Sequence, residues 1–184
     1  MRQLIITSTF LLLILSGASI VGAQAPTGSF TVNRGKSDDI NAAIEQAISQ
    51  ANYVIRPILR GRLRHTNPLH NTVSISHTGG KFTIRFDIQP AMTSPDTGAQ
   101  VKFTDLYQET FELSTQLNGS SLVQTLRGED QTTISTFRLS ANRLKISVTV
   151  QSPSLPKPLT YALVYDGTAQ AARPRANRPG AKRN

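Results

Sequence analysis

The 184-residue sequence predicts a mainly β domain: one long N-terminal helix, then about eight antiparallel strands forming an up-and-down barrel or a strongly curved sheet. Three observations carry this. Apolar residues recur every three or four positions from Ile40 to Leu63, the period of a helix. From Asn71 onward the apolar period drops to two, the period of a strand. Short turn signals then separate the strands, and links that short allow only antiparallel neighbours.

Before the helix, Met1-Arg2 precedes an apolar run from Leu4 to Val21, densest at Phe10 to Leu15, which ends in Val21-Gly22-Ala23. A positive start, an apolar centre and a small-residue exit describe a secretory signal peptide over residues 1–23. Cleavage after Ala25 is disfavoured because Pro26 would follow, and an uncleaved membrane anchor is the competing reading of the run. The expected location is therefore periplasmic or extracellular. Residues 24–36 read as a linker with a short extended segment.

Ser37-Asp38-Asp39 opens the helix, a capping residue followed by acids suited to the positive end of a helix dipole. The apolar positions are Ile40, Ile44, Ala47, Ile48, Ala51, Val54, Ile55, Ile58, Leu59 and Leu63. A kink is expected at Pro57 and a stop at Asn67-Pro68. A helix over 38–64 would be roughly 40 Å long and cross a whole domain face. Arg56, Arg60 and Arg64 make a basic stripe on its polar side. Arg62 falls in phase with Ile40, Ile44 and Ile55, so it is expected on the buried side. There it either forms a structural ion pair or holds the anionic head of a ligand.

The strands are expected at 71–77, 81–88, 100–104, 107–117, 121–127, 131–139, 143–151 and 159–165. Thr78-Gly79-Gly80, Asn118-Gly119, Gly128-Glu129-Asp130 and Ala141-Asn142 supply the turns, and Pro-rich loops cover 89–99 and 152–158. The helix and strands make one domain over 37–166. From residue 167 the chain is Ala-, Gly-, Pro- and Arg-rich, with Arg173, Arg175, Arg178, Lys182 and Arg183 and no acid, which reads as a disordered basic tail. The formal charge is +9; five of these charges lie in the tail and one at Arg2, which leaves +3 for the folded body. The basicity is a tail property. It fits contact with an anionic envelope surface. No aromatic residue interleaves the arginines, so no nucleic-acid partner is expected.

Two stretches, NYVIRPILRGRLRHTNP over residues 52–68 and LNGSSLVQTLRGEDQTTISTFRLSANRLKISVTVQSPSLPKPLTYALVYD over 117–166, resemble a group of uncharacterised exported bacterial proteins of lipocalin-like, or calycin-like, build. The resemblance implies that fold and no catalytic residues. The chain has no Trp and so lacks the Gly-x-Trp of true lipocalins.

Chemistry is sparse. The absence of cysteine excludes disulfides, thiolate metal sites and cysteine nucleophiles, and the three histidines read as surface residues. No metal site, cofactor or hydrolase motif is predicted. Asp105, Glu109 and Glu112 cluster around one strand, but Glu109 and Glu112 face opposite sides and the inward face is ambiguous. The functional expectation is a non-enzymatic exported carrier of a small apolar or amphiphilic ligand, with Arg62 as the ligand-contacting residue. The surface contacts would be Arg56, Arg60, Arg64 and the tail cations. The alternatives are an envelope structural or interaction protein with a filled barrel and, third, an outer-membrane barrel. Short strands and few aromatics count against the third, so no integral membrane protein is expected.

Overall fold

The computed structural model describes residues 25–168, so the apolar leader over 1–23 and all of the basic tail after Thr168 lie outside the described residues. The elements are β1 (Gly28–Val32), a short 3-10 turn, α1 (Ile40–Ile48), α2 (Arg56–Thr66), β2 (Thr72–Thr78), β3 (Lys81–Phe86), β4 (Met92–Pro95), β5 (Val101–Thr104), β6 (Thr110–Asn118), β7 (Ser121–Arg127), β8 (Thr132–Ser140), β9 (Arg143–Gln151) and β10 (Leu159–Gly167). They form one ten-stranded antiparallel sheet in the order β4-β3-β2-β1-β10-β9-β8-β7-β6-β5.

The two strands beyond the expected eight are β1 and β4. β1 lies in the segment read as a linker, and it is the strand that brings the chain ends together. Phe30 pairs with Val73 on one side and Gly167 on the other, so β1 joins β2 to β10. At the opposite seam the barrel is nearly closed. A Thr97–Gln116 bridge, a Gly98 N–H to Thr115 C=O bond of 3.1 Å and a Ser94 hydroxyl to Thr115 bond of 2.5 Å connect the end of β4 to β6.

The expected long helix is two helices. Pro57 sits in the first turn of α2, where its missing N–H needs no partner, so proline starts a helix here instead of kinking one. Between the helices, the Arg56 guanidinium donates to the carbonyls of Ala51 (2.9 Å) and Ser49 (2.7 Å), taking up acceptors that α1 leaves at its end. α1 buries Ile40, Ile44, Ala47 and Ile48, and α2 buries Leu59 and Leu63. The break moves Val54, Ile55 and Ile58, expected in the core, to the surface; Ile58 is 70% exposed.

The N-cap of α1 is Asp39, which accepts from the N–H groups of Asn41 (2.8 Å) and Ala42 (3.3 Å). The neighbouring polar residues do different work. Asp38 accepts from the Ala162 N–H at 2.7 Å and the Ser37 hydroxyl from the Val164 N–H at 2.9 Å, which pins the helix start to β10.

The inward strand residues alternate as the period-two pattern requires. On β9, Leu144, Ile146, Val148 and Val150 are buried, while Arg143, Lys145, Ser147 and Thr149 face out. An outward face of this kind is the reverse of the apolar outer band that a lipid-facing barrel carries. Among the described residues no helix is long and apolar enough to cross a membrane.

Candidate functional site

Phe30, Ile44, Ile84, Leu122 and Phe137 are buried in the hydrophobic core and line no part of the cavity, so one end of the barrel is filled. The other end holds a cavity of about 300 Å³. Its apolar wall comes from Phe86, Met92, Phe103, Phe111, Ile146 and Leu163. Its polar wall comes from Gln124 on β7, Thr133 and Ser135 on β8, and the phenols of Tyr161 and Tyr165 on β10. The rim is built by His65 and Thr66 at the end of α2, Gln89 and Pro90 before β4, and Asp105, Tyr107 and Glu109 between β5 and β6. Across it the rings of His65 and Tyr107 lie 4.6 Å apart.

The cavity exists because β8 inverts the usual polarity of a half-buried strand. Its inward positions Thr133 and Ser135, and Gln131 just before it, line the cavity, whereas Ile134 and Thr136 point to the other face. Short hydroxyl side chains there leave unfilled the space that a run of leucines would occupy. At the next inward position Phe137 is fully buried, and the packed end begins.

Two of the polar groups in the wall, the phenols, already have partners. The Tyr161 hydroxyl donates to the Asn67 side chain at 3.2 Å and the Tyr165 hydroxyl to the His70 carbonyl at 3.1 Å, so both phenols tie β10 to the segment that follows α2. Burial pushes both phenols well above their ordinary range, and they remain protonated donors. His70 Nδ1 lies 3.3 Å from Asp87 Oδ2. Burial lowers the His70 pKa, against the opposing pull of that carboxylate, which favours the neutral ring. Burial acts to raise Asp87, but bonds from the N–H groups of Asn71 and Thr72, the Thr72 hydroxyl and His70 outweigh it and hold the carboxyl below its ordinary value.

Gln124 differs. It is only 4% exposed, lies between Leu122 and Leu126 on the inward face, and its Nε2 has no hydrogen-bond partner among the described residues.

These observations place the sequence-derived residues. Arg62 does not line the cavity; it is on the outside of α2, 48% exposed, with its guanidinium 3.3 Å from Asp130. The expected burial assumed one continuous helix, and the break over 49–55 resets the helical phase that placed Arg62 beside Ile40. Arg60 makes a two-point pair with Glu45 of α1 (2.5 and 2.8 Å), and Arg64 lies 3.7 Å from the same carboxylate. The hydrogen bond from Arg60 holds Glu45 below its ordinary pKa. Together with Arg56, the basic stripe therefore spans α1 and α2. Arg173, Arg175, Arg178, Lys182 and Arg183 lie outside the described residues. Of the three histidines read as surface residues, His70 and His65 line the cavity, and His77 pairs with Asp96 at 2.8 Å on the outside. Glu109 and Asp105 stand at the rim, and Glu112 faces out.

The fold is similar to that of a set of solved structures. Fatty-acid-binding protein 1 of Echinococcus granulosus aligns with a TM-score of 0.54 at 14% identity, over 78% of this chain and 97% of that one. The Schistosoma mansoni fatty acid binding protein, in complex with arachidonic acid, aligns with a TM-score of 0.54 at 18% identity, over 78% and 96%. A secretory abundant heat-soluble protein of Ramazzottius varieornatus gives 0.55 at 8% identity, over 77% and 94%. The fold is that of the fatty-acid-binding proteins. It belongs to the calycin-like architecture, as the quoted stretches implied. No family model matches the sequence, and no curated protein matches it. The cavity lies beneath the end of α2 and the β5–β6 turn, and Arg62 is not among the residues that line it.

Proposed function

We propose that the protein is a non-enzymatic, exported carrier of a small apolar or amphiphilic molecule. The observation that carries this reading is the cavity of about 300 Å³ lined by phenylalanine, methionine, isoleucine and leucine. That volume is at the lower end of the range for small-molecule sites. Burying an alkyl chain against such a wall contributes roughly 0.8 kcal/mol per CH₂. The fatty-acid-binding-protein fold supports the same reading, since neighbours of that architecture are fatty-acid-binding proteins, one of them in complex with arachidonic acid. The apolar run closing at Ala23 supports export, and the charged tail supports a contact with anionic envelope surface.

Native mass spectrometry of protein recovered from the exported fraction, followed by solvent extraction, tests the carrier reading. The expected result is a chain beginning at Gln24 that carries a reproducible adduct released by organic solvent. An apo mass, together with no thermal shift against a panel of fatty acids, alcohols and esters, would overturn it.

A further inference from the structure

We infer that the carried molecule is an uncharged lipophile whose head presents a carbonyl, ester or hydroxyl oxygen, and that the Gln124 side-chain amide donates to that oxygen. The inference deepens the carrier reading and rests on it. Two independent observations lead to it.

The first is Gln124 itself. A buried amide N–H without a partner is destabilising by the desolvation of that group, which is why such groups are rare in folded proteins. This one belongs to the wall of a cavity large enough for a ligand. Its neighbours in register are Thr115 on β6 and Ser135 on β8. The Thr115 hydroxyl is taken by the bond from Ser94, so the polar side of the cavity at this level is Gln124 and Ser135. Nε2 is closed off as the side chain stands; turning the amide about its last torsion brings its N–H groups to an acceptor placed there, with the Ser135 hydroxyl beside it.

The second is the charge of the lining. It contains no lysine or arginine, and the acids Asp105 and Glu109 stand at the rim. Arg62, the cation expected to face a ligand head, is spent on Asp130 outside. Tyr161 and Tyr165 are neutral and already bonded, and burial favours neutral His70. A carboxylate brought into this space would lose its hydration without gaining a cation, a large cost. An ester, ketone or alcohol loses far less and gains the amide donor. A shared apolar wall with an uncharged polar point therefore selects the neutral members of a lipid series.

The test uses N-phenyl-1-naphthylamine, a neutral apolar fluorophore, displaced at pH 8 by methyl laurate, dodecanol or laurate. The wild-type protein is expected to release the probe with methyl laurate and dodecanol at concentrations about tenfold or more below that needed for laurate. Gln124→Leu is expected to weaken for dodecanol and methyl laurate by roughly tenfold relative to its own affinity for the fluorophore, the size of one good hydrogen bond. Gln124→Met repeats that comparison if the leucine variant does not fold. Gln124→Arg is expected to shift the preference toward laurate. Equal or tighter binding of laurate by the wild type overturns the inference and leaves the carrier reading standing. So does a lipid ranking unchanged in both apolar variants. Failure of the fluorophore and of every lipid to bind overturns the carrier reading, and this inference with it.

Discussion

Asp87 ties the end of β3 to the start of β2. It occupies the left-handed region (φ +42°) directly after β3, and from there its carboxylate accepts from two backbone N–H groups and one hydroxyl at the start of β2. Asp87→Ala removes these acceptors and the residue type that tolerates this φ; a loss of about 1 kcal/mol in a denaturant titration is expected, the site being partly screened by solvent. Asp87→Asn keeps one acceptor and the backbone preference, so it should lose less. The pH dependence follows from two lowered pKa values with different windows. His70 is held below 6.5 by burial, so the unfolded chain takes up its proton first and stability falls as pH drops below 6.5, until the folded pKa is passed. Asp87 is held below 3.8, so its contribution is complete above that value and is lost at still lower pH. Denaturation midpoints between pH 7.5 and 5 should flatten in His70→Gln, and an unchanged slope would remove His70 as the cause. At this scale the sequence was partly legible. Gln124 sits in the apolar phase of Leu122 and Leu126, so its inward direction could be read from alternation. That its amide would lack a partner could not, because that depends on what faces it from β6 and β8.

At the scale of elements, the two helices are held by contacts that sequence periodicity does not encode. The apolar spacing from Ile48 through Ala51 to Ile55 continues at three and four across the break, so periodicity alone predicts one helix. What divides it is proline chemistry and the reach of Arg56 back to Ser49 and Ala51. Arg56→Ala leaves those carbonyls without their charged donor and is expected to lower stability by about 1 kcal/mol, and Arg56→Lys should restore only part because an ammonium does not present two donors in a fixed fork. Asp39→Ala, which removes the α1 cap, should lower stability by about 1 kcal/mol as well. Thermal unfolding monitored by far-UV circular dichroism checks both; a neutral Arg56→Ala would show that solvent serves the carbonyls equally well. The missed strands have a related cause. β1 and β4 are five and four residues long, too short to display a period, and each is defined by its partners. β1 pairs with β10 more than a hundred residues away, a relation that barrel closure creates and local sequence does not announce.

For the whole molecule, the division of the barrel into a packed end and an open one is the property on which carriage depends. Seven of the strands were legible because they alternate over six residues or more, and the four-residue β5 was marked by Val101 and Phe103. The open interior was not legible, because it arises where Thr133 and Ser135 on β8, and Gln131 just before it, stand in place of bulky side chains, combined with a stagger between strands that only the assembled sheet defines. This makes a direct prediction. Ser135→Trp should fill the space with apolar volume and leave the packed end, from Phe137 onward, intact. A ligand present at a hundred times its Kd stabilises the folded state by about 2.7 kcal/mol, which for a body of this size is roughly 5–10 °C in Tm. The wild-type protein should show that upward shift with dodecanol. Ser135→Trp should keep an apo Tm within a few degrees of wild type and lose the shift. If the variant kept the full ligand response, binding would have to occur outside the barrel. The apolar surface at Tyr53, Val54 and Ile58 would then be the place to look, because it is the exposed hydrophobic ground nearest the helix pair.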